Sequence, residues 1–70
     1  MEIVKIETEF ITLGQFLKFT GIIDSGAMAK SFLLLNFALI NGEKEQRRGK
    51  KLYPGTEILV NKQLFRIEKA

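Results

Sequence analysis

No cysteine and no histidine occur anywhere in this chain. The first absence removes disulfides, thiolate nucleophiles and cysteine metal sites. The second removes the side chain that titrates nearest neutral pH and the commonest metal ligand. Tryptophan is also missing, and proline occurs once, at Pro54. The longest apolar stretch, Phe32 to Ile40, is broken by Asn36. It falls far short of the ~20 residues that span a bilayer. Met1-Glu2-Ile3 begins without the basic and apolar regions of a secretory leader. No membrane partner is expected, and a cytoplasmic location is the default.

Catalytic constellations are equally sparse. Glu7, Glu9, Asp24, Glu43, Glu45 and Glu57 fall in separate segments, and no spacing pairs two of them on one helix face as acid and base. Gly49-Lys50-Lys51 lacks the earlier glycine and the hydroxyl residue of a phosphate-cradling loop. The expectation is a non-enzyme with no cofactor, no metal and no small-molecule substrate.

What is present is apolar density. The chain has 70 residues, of which 46% are hydrophobic. A single domain over residues 1–70 is expected. A chain this short buries only roughly 60% of its unfolded surface, so packing must supply the stability. Glu2 to Ile6 reads as a short strand. Thr12-Leu13-Gly14-Gln15 is a capping box, with Ile11 and Phe16 at the flanking staple positions. It opens a first helix, Leu13–Thr20, with Leu13, Phe16, Leu17 and Thr20 on one face and Phe19 at its edge. Gly21 stops that helix. A second helix is expected over Ser25–Leu35, capped by Asp24 or Ser25, with Ile23 and Met28 as its staple. Met28, Ala29, Phe32 and Leu33 form its apolar face, and Asn36 ends it in the left-handed conformation. Ala38 and Ile40 then share one face of a strand, and Asn41-Gly42 signals a two-residue hairpin. Glu43 to Glu45 is a short charged return strand, and Gln46 to Lys51 a loop. Tyr53-Pro54-Gly55 is a turn in which Gly55 takes positive φ. A strand follows with Ile58 and Val60 on one face, then a turn at Asn61-Lys62-Gln63. A closing strand places Phe65 and Ile67 opposite Leu64 and Arg66.

The positive charge is local. Lys44, Arg47, Arg48, Lys50 and Lys51 stand against Glu45 alone, a net of +4 where the whole chain carries +3. Such a run is either a solvated loop or the footprint of a phosphate-binding patch. Arg47 and Arg48 carry planar forks suited to phosphate, and Lys50 and Lys51 act as mobile point charges. The phenylalanines lie mostly on apolar faces and read as core, with only Tyr53 adjoining the basic run. That favours contact with structured RNA by shape and backbone over reading of unpaired bases. Gly26 has two readings: exposed backbone N–H groups for an anion, or close packing between the helices.

The order of these elements resembles the S4 RNA-binding domain family. Gly21, Ser25, Ala29, Phe32, Leu33, Asn36, Ala38, Ile40, Asn41 and Gly42 fall at the positions of that family's pattern, and Pro54-Gly55 with Ile58 matches its later turn and strand. The resemblance covers about Thr12 to Val60. Ile11 to Lys18 together with Arg47 to Gly55 is similar to the group of small stand-alone bacterial S4 proteins called YaaA. Two positions depart: Gly26 stands where a basic residue is usual, and Thr56 where Asp is usual. The resemblance implies an α+β fold, a two-helix αL motif packed on a small, mostly antiparallel sheet. It also implies binding of ribosomal or transfer RNA, with ribosomal particles as partners in assembly or translation. The RNA-facing residues would be Lys18, Ser25, Gly26, Lys30, Lys44, Arg47, Arg48, Lys50 and Lys51. Two other classes stay open on the residues alone: a protein-interaction module docking an acidic partner through the same loop, and a duplex-DNA binder.

Overall fold

A computed structural model describes all of residues 1–70. Seven strands and two α-helices follow one another along the chain. The strands are β1 (Glu2–Ile6), β2 (Ile11–Thr12), β3 (Ala38–Ile40), β4 (Glu43–Glu45), β5 (Lys51–Leu52), β6 (Glu57–Val60) and β7 (Gln63–Lys69). The helices are α1 (Leu13–Phe19) and α2 (Ala29–Leu35), the second preceded by a 3-10 turn over Gly26–Met28. The main sheet runs β1-β7-β6-β3-β4, and β2 pairs with β5 in a separate two-stranded ribbon. This is the α+β, mostly antiparallel architecture expected.

Period-two patterning puts one face of the sheet inside. Val4, Ile6, Ala38, Ile40, Ile58, Val60, Phe65 and Ile67 are all buried, while Ile3, Leu59 and Leu64 on the other face are exposed. The helices cover the buried face with Leu13, Phe16, Leu17, Ala29 and Leu33. Phe16 meets Phe65 edge-on, with ring centroids 5.1 Å apart. No polar or charged side chain is buried. Apolar burial therefore holds the domain together, in a chain without cysteine to form a disulfide.

The first helix forms as its sequence signals. Thr12 accepts the Gln15 N–H, Gln15 accepts the Thr12 N–H, and both halves of the capping box are present. Gly21, at φ +79, ends the helix, with its N–H on the Lys18 carbonyl and the Ile22 N–H on the Leu17 carbonyl. The hairpins also form as expected. Asn41 (φ 50) and Gly42 (φ 87) make the mirror-image turn between β3 and β4, and Gly55 has φ +95.

The second helix departs from expectation. The Ser25 side chain caps nothing, and the chain enters through the 3-10 turn, with the Met28 N–H on the Ser25 carbonyl. The regular helix starts only at Ala29, so Asp24 and Ser25 lie too far upstream to cap it. Ile23 is buried but Met28 is exposed, so no staple forms. Asn36 does not adopt the left-handed conformation; it sits at φ −136, ψ 70. It ends α2 with its own polar groups, its backbone N–H and its side-chain amide both donating to the Phe32 carbonyl. The negative φ at Asn36 carries the chain by way of Phe37 into β3. The close-packing reading of Gly26 is also overturned, because a Cβ there would meet nothing within 4 Å. Close approach of the helices occurs instead at Gly14, where a Cβ would lie 3.5 Å from that of Ala29.

Two pairings were not legible in local patterning. β1 lies parallel to β7, Val4 opposite Ile67, which makes the first strand an edge of the sheet. Lys51, expected to end a loop, and Leu52, just before the expected turn, form β5 and pair with Thr12 and Ile11. Both depend on contacts between distant parts of the chain.

Candidate nucleic-acid interface

The basic loop between β4 and β5 is fastened to the start of α1. The first N–H groups of a helix lack intrahelical partners. Here the Leu13 N–H donates to the Lys50 carbonyl and the Gly14 N–H to the Arg48 carbonyl, each at 2.8 Å. Gln15's N–H is taken by Thr12. A Cβ on Gly14 would lie 3.4 Å from both the Cβ and the carbonyl oxygen of Arg48, so the glycine lets the loop lie flat against the helix. At its other end, Gln46 donates from its amide to the carbonyls of Leu33 and Leu34, near the C-terminus of α2. A loop with no apolar residue is thereby held at both ends by hydrogen bonds, while its charged side chains stay in solvent.

Glu45 shapes the loop's entry. Its carboxylate accepts from Arg47 Nε at 2.9 Å, from Arg47 Nη2 at 3.1 Å and from the Arg47 backbone N–H at 3.0 Å. Hydrogen bonding by the Arg47 side chain comes first among the causes that hold the Glu45 carboxyl down at about 2, against the opposing effect of desolvation. The same pairing raises the Arg47 guanidinium above its ordinary value. Two sides of the Arg47 fork are thus already engaged, although the side chain remains 77% exposed.

Lys44, Arg47, Lys50 and Lys51 come together around one surface cleft, with Tyr53, Glu43 and Glu45 also on its walls. Arg48 lies beyond it, with its backbone against Gly14. Lys18 faces a different groove, on the solvent side of α1. Ser25, Gly26 and Lys30, around the start of α2, are exposed and line neither feature.

The phenylalanines follow the expectation of core only in part. Phe16 and Phe65 are core, but Phe19 and Phe37 are exposed and Phe10 is only half-buried. The Lys51 ammonium sits 4.8 Å from the Phe10 ring centroid, and the Lys44 ammonium 4.6 Å from that of Phe37. Phe10 also packs against Tyr53 at 5.7 Å. The signal for Phe37 was available: it precedes Ala38 and Ile40 by odd steps, so it belongs to the outward face. Phe10 had none, because its neighbours come from the unforeseen β2–β5 pairing.

An α+β domain whose helix-tethered basic loop is flanked by exposed aromatic rings is a small binding module. The S4 domain family matches residues 4–68, and the chain belongs to that family. It is similar to the probable ribosome maturation protein RlbA of Bacillus subtilis (strain 168), with 56% identity over 57 residues, covering 81% of this chain and 80% of the relative. No solved structure matches it significantly. No helix is long and apolar enough to cross a membrane.

Proposed function

We propose that this chain binds folded RNA, ribosomal RNA above all, and acts without catalysis in the maturation of ribosomal particles. The carrying observation is the basic loop held by α1, with Lys44, Arg47, Lys50 and Lys51 around one cleft. Fixed placement of cations lowers the ordering cost of binding a rigid polyanion. Membership of the S4 family and similarity to a probable ribosome maturation protein support the reading.

Lys44, Arg48, Lys50 and Lys51 are the proposed phosphate contacts on the loop side. Arg47 serves first to hold the loop against Glu45 and offers phosphate the rest of its fork. Lys18 on α1, and Ser25, Gly26 and Lys30 around the start of α2, extend the contact surface along the helices. Transfer RNA presents the same backbone chemistry and is the second candidate ligand.

Binding to matched RNA and DNA hairpins tests this directly. A-form RNA should compete well above duplex DNA, because its groove shape and 2′-hydroxyls differ. Equal competition by DNA would point to a charge-only duplex binder. An acidic protein partner on the same loop would instead give salt-sensitive capture of a protein that survives ribonuclease treatment.

A further inference from the structure

The basic loop leaves one neighbouring feature unused. An open groove of about 730 Å³ runs between α1 and the segment joining β1 to β2. Its walls include Phe10 and Glu9 from the segment and Gln15, Lys18 and Phe19 from the helix. Gln15, Lys18 and Phe19 are spaced i, i+3, i+4, so they share the solvent face of α1. Phe19 is 66% exposed, a large ring left in water on the same groove as the half-buried Phe10.

We propose that this groove takes one unpaired nucleobase of the RNA bound by the basic loop, stacked on Phe19 and Phe10; the proposal rests on that reading of the loop. Phe10 links the two features. It lines the groove, and it carries the Lys51 ammonium and Tyr53 of the basic cleft against its ring. A strand whose phosphates follow Lys50 and Lys51 therefore reaches the groove without leaving the surface. Lys18 supplies a cation for the next phosphate. Glu9 disfavours a phosphate inside the groove itself and can accept from an amino-bearing base edge. The carboxamide oxygen of Gln15 is engaged by the Thr12 N–H, which leaves its NH₂ group as a donor. The wall is also pre-formed. Lys69 Nζ donates to the carbonyls of Glu7 and Thr8, and the Thr8 hydroxyl donates to the Phe10 carbonyl. Stacking of a base on an aromatic side chain is tolerant of sequence and strong enough to measure.

The test uses a hairpin RNA with a single bulged 2-aminopurine riboside and the same hairpin fully paired. Parent protein, Phe19→Ala and Phe19→Tyr are titrated against both, with melting curves as the folding control. The parent should prefer the bulged RNA at least about fivefold and quench the 2-aminopurine fluorescence on binding. Phe19→Ala should lose the preference and the quenching, yet bind the paired hairpin like the parent; Phe19→Tyr should keep both. If the parent binds both hairpins alike, or Phe19→Ala matches it throughout, the base groove is wrong and RNA binding by the loop stands. If the parent binds neither hairpin in a salt-dependent way, the groove and the RNA reading both fall.

Discussion

Lys62 sits at φ 63, next to Asn61 at φ 52, in the turn that joins β6 to β7. A lysine gains nothing from the left-handed region, whereas glycine enters it without a steric penalty. Lys62→Gly should therefore stabilise the domain by about 1 kcal/mol, read as a higher urea midpoint; an unchanged midpoint would show that the turn carries no strain. The converse holds at Gly42, φ +87, where Gly42→Val should cost more than ~1 kcal/mol on the same measurement. Glu45 makes the third residue-scale prediction. Its carboxyl is lowered from 4.5 to about 2 in the folded protein. A lowered carboxyl stabilises the fold fully above its unfolded value and loses that contribution as pH falls through its folded value. Between about pH 4.5 and 2 the parent should lose melting temperature more steeply than Glu45→Gln. Parallel Tm-versus-pH curves would mean that the Arg47–Glu45 pair contributes nothing to folding. The left-handed residues Asn41, Gly42 and Gly55 were legible because residue type limits φ. The Glu45–Arg47 fork was not, since a two-residue separation alone does not fix which way either side chain turns.

α1 and α2 show what local sequence can and cannot specify. The α1 signals are redundant: a capping box at one end, a glycine at the other and an apolar face between. They act on the same few residues and agree. For α2 the polar pair Asp24-Ser25 stood at the right distance from the apolar face, but the 3-10 turn absorbed the first three residues and no cap formed. Its C-terminus is held by Asn36 from within and by Gln46 from the basic loop, thirteen residues beyond Leu33. Such tertiary capping leaves no trace in the helix's own sequence. Thr12→Ala should cost on the order of 1 kcal/mol, since the Gln15 N–H loses its acceptor. Because the two preceding N–H groups hold Lys50 and Arg48, amide exchange at Leu13 and Gly14 should also quicken. Coincident urea midpoints and unchanged exchange would make the capping box energetically idle.

At the level of the whole molecule, period and turn chemistry located most strands, the sheet's inward face and the basic run. They did not reveal the parallel β1–β7 edge or the β2–β5 ribbon, because pairing between distant segments is decided by the assembled core. That ribbon places Phe10 and Tyr53 beside Lys51 and fixes the loop to α1. The most direct test of loop-mediated RNA binding exploits the way the loop is anchored. Arg48 and Lys50 hold α1 through backbone carbonyls, so Arg48→Ala/Lys50→Ala removes two charges and leaves the anchor bonds in place. Affinity for a folded RNA hairpin is measured against salt for the parent, this double variant and Lys62→Ala on the distant turn. Each lost phosphate contact flattens the log–log salt dependence by roughly 0.7 to 0.9, so the double variant should bind more weakly, with a slope shallower by about 1.5. Lys62→Ala should follow the parent. Parallel lines of equal affinity for parent and double variant would contradict the claim that this loop is the RNA-binding surface.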